Sequence, residues 1–196
     1  ELKFLEREAS GRSLLRVDLK AISQSLERNP KIKRAEVVRI LPNELNVFLT
    51  KRLPLIQVQL AHGRRFYLVA DDQLVVSVQK LPSPDLVVLE DFGSGAKSYT
   101  VGSLYRNTHF SELTGLLCQI RIDSIFSRET ISKVTMDSGG HMSLVLKDGV
   151  EVKIGPKLSL SDANRMVLSS LLQSQERSQI LYLDARYQNI IVKKKS

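Results

Sequence analysis

The sequence predicts an α+β fold in which helices pack against mainly antiparallel strands. Apolar residues recur at helical spacing in four segments, and the other apolar residues form short runs that alternate with polar residues or are β-branched. Turn-forming residues separate these runs. The 196 residues are 42% hydrophobic, which is enough for the cores of one or two domains and excludes a wholly disordered chain.

The first part of the chain is predicted to form two helices followed by a β-hairpin. Residues 2–9 place apolar side chains on one helical face, and a second helix covers residues 19–26 with Asp18 as its N-cap. From residue 35 the pattern alternates. This predicts a strand over residues 35–41 and, after a turn, a second strand over residues 45–50.

The rest of the chain is predicted to be richer in strands. Two amphipathic helices are expected, over residues 110–120 and 162–173. Strands are predicted at residues 66–70, 73–78, 86–89, 131–136, 142–147, 150–154, 180–184 and 189–193. Because most of these strands follow one another through short turns, the sequence predicts a meander of antiparallel strands with the two helices laid against it.

Composition excludes several classes of protein. A single cysteine, Cys118, excludes a disulfide framework and a thiolate-rich zinc site, and its apolar neighbours predict a small buried side chain. The three histidines share no ligand spacing, so neither a metal site nor a cofactor is predicted. No apolar run approaches the length of a membrane span. The formal net charge of +8 leaves nucleic acid, anionic lipid or an acidic protein as partner.

No group of residues predicts catalysis. Asp71 and Asp72 are adjacent, so they point to opposite faces of a strand or into solvent at a turn. The segment 93–98 lacks the glycine spacing of a phosphate-binding loop. Since no acid, base and nucleophile converge, the sequence predicts a protein that is not an enzyme.

Local patterns along nearly the whole chain match one family. They lie at residues 14–19, 29–32, 35–39, 39–45, 52–54, 150–155 and 184–187. Together they resemble the extracytoplasmic region of the bacterial cell-division family FtsQ, called DivIB in Gram-positive bacteria. The run that ends at Pro54 is similar to a POTRA module, a small docking domain, and Asp184-Ala185-Arg186-Tyr187 is similar to a motif near the C-terminus of the family.

The resemblance implies two domains. Residues 1–57 are expected to be an N-terminally truncated POTRA domain that lacks its first strand, and residues 58–196 a mainly antiparallel β domain with flanking helices. It also implies that a short cytoplasmic tail, a single transmembrane helix and the missing strand lie upstream of Glu1. The chain is then expected outside the cytoplasm, in the periplasm or on the outer face of the membrane, at the division septum.

The resemblance implies a non-enzymatic divisome scaffold. It would link cell-division proteins to the septal wall synthases through FtsB- and FtsL-like partners, by pairing of an exposed edge strand with a partner segment. The expected partner-binding residues are Arg186, Tyr187, Asn189, Ile190, Ile191, Val192 and Lys193. A second docking surface is predicted on the POTRA half, at the basic residues Lys33, Arg34 and Arg39.

Two other functions remain open from the sequence. One is a POTRA-bearing outer-membrane assembly or secretion factor, although the C-terminal half lacks the sequence pattern of the membrane domain that follows in such proteins. The other is a basic nucleic-acid-binding module. Glu36 interrupts its basic segment and no aromatic residues interleave with it, so no nucleic-acid partner is predicted. A steep salt dependence of DNA binding would identify this second class.

Overall fold

The computed structural model describes residues 17–61, 63–93, 95 and 98–195, and these residues form two units. The small unit is one helix on a two-stranded sheet. The large unit is built on a sheet of nine strands, the large sheet, which carries two helices. This arrangement confirms the predicted α+β class. The helix predicted at residues 2–9 lies outside the described residues.

The small unit forms from the predicted elements. Helix α1 (Leu19–Glu27) begins at Asp18, whose carboxylate accepts hydrogen bonds from two backbone N–H groups at 3.0 Å. These donors have no partner within the helix, so the predicted cap stabilises its first turn. The helix packs on the antiparallel strands β1 (Ile32–Ile40) and β2 (Glu44–Lys51). The buried core of the unit is formed by Val17, Ile22, Leu26, Ile32, Ala35 and Val37.

The large sheet contains all later strands of the described residues. They are β3 (Pro54–Leu60), β4 (Phe66–Ala70), β5 (Val75–Gln79), β6 (Val88–Asp91), β7 (Ile131–Met136), β8 (Met142–Leu146), β9 (Glu151–Gly155), β10 (Ile180–Asp184) and β11 (Ile191–Lys194). Their spatial order is β11-β10-β9-β8-β7-β6-β3-β4-β5. The two edges of the sheet are therefore β11 at the end of the chain and β5 near the small unit.

The pairing corrects one prediction about the large sheet. Most neighbouring strands are antiparallel, as predicted, but β3 with β6, β6 with β7 and β9 with β10 are parallel, so the predicted meander is wrong. A parallel pair needs a crossover connection of about a dozen or more residues. Helices α2 (Phe110–Ile122) and α3 (Asp162–Gln173) lie in two such connections, from β6 to β7 and from β9 to β10.

The main core lies between these two helices and one face of the large sheet. Helix α2 buries four apolar side chains at helical spacing, and α3 buries two leucines. These six residues are Phe110, Leu113, Leu116, Ile120, Leu168 and Leu172. Alternate residues of the strands complete the core. On the opposite face of the sheet, Leu68, Ala70 and Val76 form a separate, smaller apolar cluster.

The structure differs from two further expectations from the sequence. Cys118 is exposed, not buried, because the core-facing positions of α2 are the four named above and Cys118 lies off that stripe. Strand β3 begins at Pro54 and belongs to the large sheet, so it crosses the boundary expected between residues 57 and 58. No helix of the described residues is long and apolar enough to cross a membrane.

A part-buried ion pair fastens α3 to the turn after α2. The Arg165 guanidinium donates to the Asp123 carboxylate at 2.6 Å, and the same carboxylate accepts bonds from backbone N–H groups at 2.9 and 3.3 Å. Burial of Asp123 would raise its pKa, but these hydrogen bonds outweigh burial and lower the pKa below its usual value. The carboxylate is therefore charged in the folded protein at neutral pH.

Two ion pairs join the small unit to the turn between β4 and β5. Lys33 contacts Asp71 at 2.6 Å, and Arg52 contacts Asp72 at 2.9 Å. Arg52 also donates to two backbone carbonyl groups of the small unit, at 2.7 and 2.8 Å. The hydrogen bond from Lys33 lowers the pKa of Asp71. The adjacent aspartates, which the sequence places at a turn, thus serve as the contact between the two units.

Candidate protein-binding site

Strand β11 forms an open edge of the large sheet. It pairs antiparallel with β10, and no strand of the described residues lies on its other side. All four of its residues are exposed, among them the apolar Ile191 and Val192. An edge of this kind presents unpaired backbone N–H and C=O groups, which can pair with an extended segment of another chain.

The end of β11 is held in place by the segment before β10. Lys194 contacts Glu176 at 2.7 Å, and the Lys195 ammonium donates to the carbonyl oxygen of Ser178 at 2.9 Å. The backbone N–H of Lys195 donates to the carbonyl of Gln179 at 2.7 Å. The terminal lysines therefore fix the strand, in addition to placing positive charge beside its open edge.

The loop between β10 and β11 is organised by one short ion pair. Arg186 lies just beyond β10 and donates two hydrogen bonds to the Asp184 carboxylate, from Nε to Oδ1 at 2.8 Å and from Nη2 to Oδ2 at 2.6 Å. The hydrogen bond from Arg186 lowers the pKa of Asp184 against the opposing effect of burial, and it raises the pKa of Arg186. A two-point contact fixes the plane of the guanidinium, so the side chain is already oriented before any partner binds.

Tyr187 presents its ring beside this guanidinium. The ring centroid lies 5.7 Å from the Arg186 Cζ atom, and the residue is 56% exposed. Its backbone carbonyl accepts a hydrogen bond from Asn164 Nδ2 at 3.2 Å, which ties the loop to α3. The Tyr187 side chain is therefore on the surface and is not part of the core.

A shallow groove of about 420 Å³ adjoins this loop. The end of β9 forms one wall through Gly155, and the basic side chains of His141, Lys157 and Arg186 line it. Tyr187 also lines it. Chemically, the groove offers an aromatic surface and cationic donors to a partner side chain, in particular to a carboxylate.

The seven predicted partner-binding residues are thus close in space, but the side chain of Ile190 is only partly accessible to a partner. Ile190 is half-buried and packs against the main core, whereas the other six are exposed. His141 and Lys157 were not predicted for this site. Lys157 follows β9 and comes close to the site because β9 and β10 are parallel neighbours, a pairing that no local sequence signal indicates. His141 precedes β8, whose first residue pairs with Gly155 at the end of β9.

The predicted docking surface of the POTRA half does not form one patch. Lys33 is engaged with Asp71, and Arg34 lies 4.0 Å from Glu36 on the exposed face of β1. Arg39 is five residues after Arg34 in the same strand, hence on the opposite face, and it donates to a backbone carbonyl before α1. Only Arg34 of the three is both exposed and outside the contact between the two units.

Across the described residues, no group of three or more His, Cys, Asp and Glu side chains is placed to hold a metal ion. The part of the chain that the structure describes also contains a buried polar cluster in which Tyr105 donates to Asp91. Asn107 bonds to both side chains. Burial raises the pKa of Tyr105 far above its usual value, so its hydroxyl keeps its proton at neutral pH.

Comparison with known proteins finds one matching domain family and several similar proteins. The model of the POTRA domain, FtsQ-type, matches residues 3–52. Cell division protein FtsQ of Anaeromyxobacter sp. (strain K) is 29% identical over 188 residues, which are 95% of this chain and 63% of that relative. Cell division protein FtsQ of Geotalea daltonii is 24% identical over 205 residues, covering 100% of this chain and 73% of the relative.

A third relative, cell division protein FtsQ of Geobacter sp. (strain M21), is 25% identical over 187 residues, with 94% of this chain and 66% of the relative covered. The chain thus spans about two thirds of the length of these proteins. The POTRA match ends at residue 52, two residues before β3 enters the large sheet. The similarity to these FtsQ proteins continues through the strands of that sheet and covers 94–100% of the chain.

Proposed function

We propose that this chain is a non-enzymatic divisome scaffold that binds a partner segment along β11. The observation that carries the proposal is the open edge of the large sheet, with the oriented Arg186 and the exposed Tyr187 ring beside it. The proposed partners are FtsB- and FtsL-like membrane proteins, through which the chain would connect to the septal wall synthases. The proposed location is the outer side of the cytoplasmic membrane at the septum, with an anchor upstream of Glu1.

Binding would proceed by addition of a strand to the large sheet. Backbone hydrogen bonds to β11 would supply affinity for any extended segment, and the adjoining groove would select the side chains that flank it. Arg186 uses Nε and Nη2 on Asp184 and retains further N–H groups for a partner carboxylate. Tyr187 would act as the aromatic anchor, a residue type that often carries interface affinity.

Truncation of the anchor tests this mechanism. Tyr187→Ala should lower the affinity for a soluble FtsB-like segment by about tenfold or more, because buried interface aromatics often contribute about 2 kcal/mol. The melting temperature should stay unchanged, since the ring is exposed. Phe48→Ala, which removes an aromatic ring of similar exposure from β2 of the small unit, is the matched control. Unchanged affinity in a folded Tyr187→Ala protein would remove β11 and its loop from the function.

The POTRA half is proposed as a second docking surface. The contacts of its basic residues determine which variant is suitable for a test. Reversing the charge of Lys33 would disturb its contact with Asp71, so an effect on binding could reflect a change between the two units. Arg34→Glu avoids this problem because Arg34 is exposed. It should weaken pull-down of acidic division proteins and leave the urea midpoint unchanged. Recruitment equal to that of the parent protein would exclude this surface.

A further inference from the structure

A groove of about 550 Å³ lies where the small unit meets the large sheet, far along the sheet from β11. Ile32 and Leu49 line it from the small unit, and Leu68 and Val76 line it from β4 and β5. Leu53, in the short connection between the units, forms part of its rim. This junction groove is more apolar than the groove beside β11.

The walls of the junction groove are held by specific contacts. The backbone N–H of Arg52 donates to the carbonyl of Lys31 at 2.8 Å, and the Arg52 side chain bonds both to the small unit and to Asp72 of the large sheet. The ion pair between Lys33 and Asp71 lies on the same side. A groove that is built before binding loses less entropy when it accepts a ligand.

Two aliphatic side chains of the groove are left uncovered. Leu49 belongs to the same side of β2 as Leu45 and Val47, which pack against the small core, yet it is 51% exposed. Leu53 is 72% exposed. Beneath them, Leu68 and Val76 are nearly fully buried and give an apolar floor. Such a surface gains free energy when aliphatic side chains of a ligand cover it.

The charge around the groove has one sign. Lys31, Lys51 and Arg52 line it, and none of the lining residues is acidic. The nearest aspartates described above are already paired with Lys33 and Arg52. A ligand with carboxylates flanking its apolar side chains would therefore be attracted, and a basic ligand would be repelled.

An open strand edge lies next to the groove. Strand β5 is the second edge of the large sheet, and Ser77 of this strand lines the groove. Within the described part of the chain, residues 102–105 cover the outer side of β5 only at its start, where Val75 exchanges hydrogen bonds with Gly102 and Ser103 at 2.8 and 2.9 Å. An extended segment could therefore lie along the rest of β5 with alternate side chains directed into the groove.

We propose that the junction groove binds an extended segment of a partner protein in which aliphatic and acidic side chains alternate. The apolar floor takes the aliphatic side chains, and Lys31 and Lys51 contact the carboxylates. This site goes beyond the function proposed above and does not depend on it, because it uses the opposite edge of the sheet and none of the residues near β11.

A synthetic peptide of alternating leucine and glutamate is the probe, titrated calorimetrically into the full chain. It should bind at least tenfold more tightly than the same peptide with lysine in place of glutamate. Lys51→Glu and Leu53→Ser should each lower its affinity by about tenfold. Lys147→Glu and Ile122→Ser remove an exposed lysine and an exposed aliphatic residue elsewhere, and they should change nothing.

Three outcomes would overturn the proposal. These are no binding of the acidic peptide, equal binding of the lysine peptide, and equal losses in the groove and control variants. A further measurement identifies a different occupant: if the chain sediments as a dimer that Leu53→Ser dissociates, a second copy fills the groove. Tyr187→Ala should leave peptide binding intact, so failure at this groove and failure at β11 give different results.

Discussion

Replacing Arg52 by alanine should destabilise the protein much more than replacing Lys33, although both residues contact the same turn. Lys33 makes the shorter ion pair, 2.6 Å against 2.9 Å. The degree of burial nevertheless makes the contribution of Arg52 to stability the larger of the two. The Arg52 side chain is 11% exposed, whereas Lys33 and its partner Asp71 are 43% and 58% exposed. Water competes for exposed pairs, which typically contribute about 0–1 kcal/mol.

The bonds lost in Arg52→Ala set the magnitude. The guanidinium Nη1 donates to the carbonyl groups of Pro30 and Ile32 at 2.7 and 2.8 Å. Removing the donor leaves both carbonyls without this partner, at about 1–3 kcal/mol for each group that stays buried. Asp72 is partly exposed and can be hydrated, so it adds little. The expected loss is about 2–4 kcal/mol for Arg52→Ala and under about 1 kcal/mol for Lys33→Ala.

Urea denaturation measures the difference. With a slope of about 2 kcal/mol per molar, the midpoint should fall by about 1–2 M for Arg52→Ala and by less than about 0.5 M for Lys33→Ala. Arg34→Ala, in an exposed pair at 4.0 Å, is the control and should not shift it. If the two units begin to unfold separately in Arg52→Ala, the transition should broaden. Equal shifts, or a larger shift for Lys33→Ala, would refute the view that burial decides the contribution.

Two further predictions concern titration and reactivity. The lowered pKa of Asp123 means that its contact with Arg165 contributes stability above about pH 4, which is lost as the pH falls through the lower, folded-state pKa. In Asp123→Asn, the urea midpoint should therefore fall less between about pH 5 and pH 2 than it does in the parent protein. The control Asp85→Asn changes an exposed residue and should show the same fall as the parent protein. If Asp123→Asn and the parent protein gave the same pH dependence, the contact with Arg165 would not contribute. Cys118 should react with a maleimide in the folded protein because it is exposed, and protection until urea is added would contradict its placement.

Local signals in the sequence predict much of this fold. Asp18 caps α1 as expected and Ser161 caps α3 in the same way, because each side chain accepts a hydrogen bond from an N–H group of the first helical turn. The turn from Lys147 to Gly149 joins β8 and β9, and Gly149 has a positive φ of 89° that glycine adopts readily. These features depend on neighbours within a few residues, which a sequence pattern records.

The remaining features depend on residues that are distant in the sequence. The parallel strand pairs of the large sheet depend on the path of the crossover connections between the strands. The periodicity of apolar residues along one strand does not indicate which strand it pairs with. The junction groove depends on Leu49 and Val76, which belong to different sheets. The spacing of apolar residues around Cys118 likewise predicts which residues of α2 face the core only to within one or two positions. The β11 edge was expected from the family resemblance, whereas the ion pairs that Asp71 and Asp72 form with Lys33 and Arg52 were not expected.

Both open edges of the large sheet carry positive charge, and this explains how the chain can keep them open. Unpaired edges invite pairing between copies, but lysines at β11 and beside β5 repel a second copy and attract acidic segments. The formal net charge of +8 acts in the same direction. Raising the salt from about 0.05 M to 0.5 M, which shortens the screening length from above 10 Å to below it, should weaken binding of an acidic peptide and increase self-association measured by light scattering. A fall in self-association with salt would show that attraction between opposite charges, not repulsion between the lysines, governs contact between copies.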